Sequence, residues 1–187
     1  GFSYNYFGYT IKRTIGAPSN GKVPLEFGNQ FLPRVAVSFF PNKHFTIYAQ
    51  LSKGYSSPTI AEIRPSAGGV FTGLQAEYGW NKELGMKWSA IRGKLFLSAT
   101  IFQFDLKDAI VRQTNAAGAE YFANAGAVKQ KGFESEFNWI IINNTGDRKV
   151  NYLQLLSSFT LNDFKFGEYK AGNSNFKGNK LTGIPNQ

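Results

Sequence analysis

Residues 78–88 read YGWNKELGMKW. On an extended chain Tyr78, Trp80, Leu84, Met86 and Trp88 fall on one side, and Gly79, Asn81, Glu83, Gly85 and Lys87 on the other, with Lys82 the one polar intruder on the apolar side. Period-two alternation of this kind marks a strand whose two faces meet different surroundings. The theme recurs. Phe45, Ile47, Ala49 and Leu51 alternate with Thr46, Tyr48, Gln50 and Ser52. Phe133, Phe137 and Trp139 alternate with Gly132, Glu134, Glu136 and Asn138, and Leu153, Leu155, Phe159 and Leu161 repeat the pattern. The spacing predicts antiparallel strands over 74–89, 93–108, 124–140 and 149–164, joined as neighbours in chain order. They are longer than the usual strand of about five or six residues. A hydrophobic layer of about 25 Å requires around nine to eleven tilted residues, which these segments supply.

The connections sort into two classes. Short ones fall at 41–43, 90–93 and 143–149, long ones at 12–32, 54–73, 107–123 and 164–180, and the two alternate along the chain. That alternation belongs to an up-and-down transmembrane barrel, with short turns at one end and long external loops at the other. The fold class expected is therefore all-β: an antiparallel up-and-down transmembrane β-barrel, of which about seven or eight strands can be counted here and which the resemblance given below makes part of a larger one. An ordinary antiparallel sheet with one wet face shows the same alternation of faces, so strand length and loop pattern carry the choice.

Composition narrows function by exclusion. The chain of 187 residues is 42% hydrophobic and 16% aromatic but only 18% charged, below the roughly 25% of soluble domains. It has no stretch of about twenty apolar residues and no leader-like start, so Gly1 reads as an internal start. Cysteine is absent and His44, in a turn, is the only histidine. Thiolate sites, histidine metal clusters and nucleophile–histidine pairs are thus not expected, and neither an enzyme nor a bound cofactor is predicted. The net charge of +9 invites a nucleic-acid reading, but the basic residues gather between strands while the rings lie within them, so no nucleic acid is expected as partner.

Several short blocks are similar in order and spacing to TonB-dependent outer-membrane receptors. Gly54, Tyr55, Pro58, Thr59 and Glu62 match a Gly-aromatic-x-x-Pro-Thr-x-x-Glu segment. Leu74 and Glu77 match Leu-x-Pro-Glu, with Ala76 where proline is common. Glu83, Gly85 and Lys87 match Glu-x-Gly-x-Lys. Asn124, Gly126, Gly132, Phe133 and Glu134 match Asn-x-Gly followed by Gly-Phe-Glu, and GNKLTGIPNQ at 178–187 resembles the lead into a further strand. The resemblance runs over roughly 33–187 and implies the C-terminal half of a barrel of about twenty-two strands, with the plug domain absent from residues 1–187. It further implies a bacterial outer-membrane location and uptake of a ferric siderophore or similar nutrient, energised through the TonB complex by parts outside this chain. Outer-membrane lipid and lipopolysaccharide would be the surroundings. A passive porin-like or adhesive barrel, and a soluble carbohydrate-binding β-sandwich, remain the alternatives.

Two groups of residues are candidates for function. Glu83, Lys87, Glu134 and Glu136 are expected to face a polar lumen, opposite the apolar side of their strands. Tyr55, Arg64 and Arg112 lie in the long segments, where basic residues outnumber acidic ones about two to one and would concentrate anionic ligands. Tyr55 offers a ring, Pro58 rigidity, Arg64 a cation, and Gly68 and Gly69 a hinge, so residues 54–73 are read as a ligand-capturing external loop.

Overall fold

A computed structural model describes residues 1–12, 22–64, 70–115, 117–144, 146, 149–171, 174–181 and 183–185. Among these, eight strands form one antiparallel sheet in strict chain order. They are β1 (Phe2–Lys12), β2 (Lys22–Asn42), β3 (Phe45–Ser56), β4 (Glu77–Ala90), β5 (Leu95–Thr114), β6 (Glu120–Asn143), β7 (Tyr152–Ala171) and β8 (Ser174–Asn175). One helical turn, α1 (Ile60–Ile63), interrupts them. The expected neighbour pairing of the four central strands is what the backbone bonds show.

The strands are taller than their alternation suggests. β6 has 24 residues and β5 and β7 have 20 each. At about 3.3 Å per residue, 24 residues span roughly 80 Å along the strand, far beyond a hydrophobic layer of about 25 Å even when tilted. Three of the four segments read as long loops, 12–32, 107–123 and 164–180, are therefore mostly ladder: β2 already starts at Lys22, β5 and β6 are joined by a turn at 115–119, and β7 continues to Ala171. The cause is register slippage. Irregularities fall between Tyr6 and Gly8 on β1, around Asp108 on β5, and on both sides of Gly126 on β6. A bulge adds a residue on one strand and swaps its faces while hydrogen bonding goes on, so period two is lost and the strand is not. Among the described residues, only 57–76 is a long connection in earnest. It lies at the same end as the tall extensions, which marks that end as external.

The paired residues define two faces. One carries the rows Val37–Ala49–Leu84–Ile101–Phe133–Leu161, Phe39–Ile47–Met86–Ala99–Ser135–Phe159 and Phe45–Trp88–Leu97–Phe137–Ser157. The other carries Gln50–Glu83–Phe102–Gly132–Asn162, Tyr48–Gly85–Thr100–Glu134–Thr160 and Thr46–Lys87–Ser98–Glu136–Ser158. Apolar side chains on the first face are bare: Val37 is 66% exposed and Ile101 54%. A water-facing sheet would not leave such a belt uncovered, whereas hydrocarbon covers it at no cost. From Phe133 to Ile141 the belt spans about the nine to eleven tilted residues of a bilayer.

Candidate functional site

The 57–76 connection is clasped by the wall. Thr59 caps α1 with both arms of a capping box: its Oγ1 accepts from the Glu62 amide, and its own amide donates to the Glu62 carboxylate at 2.6 Å. The Thr-x-x-Glu of the sequence block is thus a helix-starting device, a reading that capping-box spacing alone permits. The turn buries Ile63 completely, together with Pro58. Around Ile63 gather Leu25 and Phe27 of β2 and Leu74 and Ala76 of the connection, with Tyr55, Ile110 and Phe122 packed alongside. The Phe71 amide donates to the Ile63 carbonyl at 2.8 Å.

Asn124 is the second clasp. Its Oδ1 accepts from the Gln75 amide at 2.7 Å, and its Nδ2 donates to the Gln75 carbonyl at 2.9 Å and to the Asp108 carbonyl at 2.6 Å. Glu77 works on the same bulge by accepting the Ile110 amide at 2.6 Å. Asp108 itself has φ 54°, a left-handed backbone that bulges tolerate and ordinary strand residues do not. One amide and one carboxylate thereby tie the incoming connection to the irregular part of β5. Neither role was readable from sequence, because both partners are backbone groups exposed by a bulge that the residue pattern does not announce. Asn124→Ala leaves three backbone groups without this partner, at about 1 kcal/mol or more apiece where water does not replace it. The expected result is faster amide hydrogen exchange at Gln75 and Phe71 with slow exchange retained in β4; unchanged exchange at Gln75 would remove Asn124 from this role.

The expected lumen residues share one face, spread over β4 and β6 with β5 between them. Lys87 and Glu136 flank Ser98 in one row, Glu134 sits in the Gly85–Thr100 row, and Glu83 pairs across from Phe102. Asn81 donates to Glu83, and the Lys87 ammonium lies 5.7 Å from the centre of the Tyr48 ring. That ring lies flat over Gly85: a Cβ there would come within 2.5 Å of it. With the ring down, the Tyr48 hydroxyl reaches Thr100 Oγ1 at 2.8 Å. Phe102 covers Gly132 in the same way, so the glycines of Glu-x-Gly and Gly-Phe-Glu are seats for aromatic rings on the polar face.

The three capture candidates do not converge on one point. The Tyr55 ring joins the packing around Ile63, and its hydroxyl is buried without a partner among the described residues. Arg64 ends α1 and is exposed. Arg112 stands in the tall β5–β6 hairpin and pairs with Glu120 at 3.1 Å, both largely in solvent. Gly68 and Gly69 lie outside the described residues. No group of three or more acidic or histidine side chains suited to a metal occurs among the described residues.

A bare apolar belt, a polar opposite face and tall hairpins at one end define a piece of an outer-membrane β-barrel wall. The family described as "TonB dependent receptor-like, beta-barrel" matches residues 1–187, and the chain belongs to it. It is 29% identical over 179 residues to the "Iron-regulated outer membrane virulence protein" of Vibrio cholerae serotype O1, covering 85% of this chain and 25% of that protein. The wall superposes on the ferric yersiniabactin uptake receptor FyuA from Yersinia pestis with a TM-score of 0.64 at 20% identity, covering 99% of this chain and 26% of that one. The siderophore receptor PiuA from Acinetobacter baumannii gives the same TM-score of 0.64 at 16% identity, covering 99% and 26%. The chain spans about a quarter of the length of these relatives. As a member of the family, the wall belongs to the bacterial outer membrane.

Proposed function

We propose that the chain is part of the barrel wall of a receptor that takes up a ferric siderophore or a similar iron complex across the outer membrane, energised through TonB by parts of the protein outside residues 1–187. The observation that carries this reading is the family match over residues 1–187 on a wall with one belt for lipid and one polar face. A virulence protein named as iron-regulated and structures of siderophore receptors support the choice of iron complex. In this reading Glu83, Lys87, Glu134 and Glu136 line the hydrated lumen around the plug. Arg64 and Arg112, with the ring of Tyr55 behind the first, form part of the external rim that meets the chelate. The clasp by Thr59, Ile63 and Asn124 holds Arg64 at a set place on that rim.

Rim cations act on association more than on the final complex, by steering an anion toward the mouth. In the full-length receptor, Arg64→Gln together with Arg112→Gln is expected to lower the association rate of an anionic ferric siderophore several-fold at low salt, about 3- to 10-fold, and to flatten its salt dependence. Receptor abundance in the outer membrane should stay at the parental level. Iron uptake from a panel of ferric siderophores by cells depending on this receptor tests the reading as a whole. Absence of energy-dependent uptake from every member, with receptor present at the surface, would favour a passive barrel.

A further inference from the structure

Toward the external end β2 and β3 part. Their ladder runs from Asn42 and Phe45 up to Arg34 and Ser52 and stops there, although β2 goes on to Lys22 beside β1, and β3 to Ser56 beside β4. The next pair in this register would be Pro33 with Lys53, and a proline has no amide to give the Lys53 carbonyl. Which groups are left bare follows from the ladders that do form, since alternate residues of an antiparallel strand bond to opposite neighbours. The Arg34 amide donates to the Gly1 carbonyl, which assigns the even residues of β2 at this height to β1 and turns Phe31 toward the seam. The Ser89 amide donates to the His44 carbonyl, which assigns the even residues of β3 to β4 and turns Lys53 and Tyr55 toward the seam. The Lys53 carbonyl and the backbone amides and carbonyls of Tyr55 and Phe31 thus face it, without a ladder partner among the described residues.

A cavity of about 350 Å³ lies in this seam, lined by Glu26 and Gln30 of β2, Lys53 of β3, Tyr78 of β4 and Gln75 of the connection. Glu26 and Lys53 form no ion pair among the described residues, and the Lys53 ammonium rests 5.2 Å from the centre of the Tyr78 ring. We infer that the seam is a docking slot for an extended peptide segment of a partner protein, which adds as a strand to the free edge of β3. The groups themselves select the occupant. A row of bare strand amides and carbonyls is a template for another backbone. An acid and a base left unpaired in one cavity are complemented by a base and an acid two residues apart, which an extended chain presents on one face. The inference does not depend on what the receptor transports.

The test uses the purified full-length receptor in neutral detergent and the labelled peptide Val-Lys-Val-Glu-Val, blocked at both ends, with binding read by fluorescence anisotropy. The parent should bind it saturably. The same peptide with the backbone nitrogens of its Lys and Glu methylated keeps its charges and loses the donors that would meet β3, so it should bind on the order of tenfold more weakly. Lys53→Glu should lose affinity for the first peptide and gain it for Val-Lys-Val-Lys-Val. Lys53→Arg should bind as the parent does, which separates charge from damage to the wall. Pro33→Thr supplies the missing amide, lets β2 close on β3, and should exclude the peptide without lowering the thermal midpoint. Equal affinity for plain and methylated peptides, an unchanged peptide preference in Lys53→Glu, or no binding by the parent overturns the inference. A receptor dimer that the peptide dissolves also overturns it, by giving the slot to a second copy.

Discussion

Phe137→Arg in the full-length receptor is expected to remove most folded barrel from the outer membrane, whereas Glu136→Arg, one residue away, should leave it near the parental amount. The register places Phe137 in the row of Trp88 and Leu97, near the middle of the apolar belt that runs from Phe133 to Ile141. An arginine there must carry its guanidinium through hydrocarbon to reach water, at a cost of about 2–4 kcal/mol at mid-depth. Glu136 lies in the row of Lys87 and Ser98, on the polar face, where a change of charge meets water. A shift of one residue in pairing would exchange the two outcomes, so the pair of variants reads the register directly. The measurement is the heat-modifiable fraction of receptor on unboiled gels of outer membranes. Equal tolerance at both positions would mean that neither face meets lipid.

Gly85→Val is the second large effect, and its size depends on Tyr48. A valine side chain at position 85 occupies the space of the Tyr48 ring, which lies within 2.5 Å of even a Cβ at that site. The ring must lift, breaking its bond of 2.8 Å to Thr100, or the two strands must part. Overpacking of this kind costs about 1–3 kcal/mol, and losing the tyrosine–threonine bond adds about 1 kcal/mol. Valine favours strands, so without the ring the substitution is expected to cost less than about 1 kcal/mol. The check is a double-mutant cycle in the denaturant midpoint, with Tyr48→Ala as the second change. Additive costs would show that the ring and the glycine do not interact.

What could be read from the residues depended on whether a pattern or a partner carried the information. YGWNKELGMKW discloses its two faces because every second side chain, Lys82 aside, belongs to the bare apolar face, and the pairing of β4 with β3 and β5 puts those side chains in the rows expected. The top of β5 and the first four residues of β6 read as a loop over 107–123, since the slips near Asp108 and Gly126 exchange faces within a few residues. Lys82 looked like an exception to its own strand, and only pairing with Gln103 and Lys131 shows it to be the first member of a charged row. GYSSPTIAEI matched a family block, yet its work, a capped turn that buries Ile63 against β2, depends on Leu25 and Phe27 far back in the chain. Arg64 and Arg112 could be placed on exposed segments from composition, but their spacing in the molecule comes from the height of the hairpins.

The strict order of β1 to β8 also has a meaning for how such a wall comes into being. Every strand rests on the one made just before it, so no pairing has to wait for a distant part of the chain, and the entropy of closing each loop stays small and nearly constant. Growth can then proceed by addition at a single open margin, each new hairpin presenting its free side as the template for the next. The bridge that sets Lys180 opposite Lys165, closed by the Leu181 amide donating to the Phe164 carbonyl and the Phe166 amide donating to the Asn179 carbonyl, both at 2.9 Å, lays the next stretch of chain on that margin.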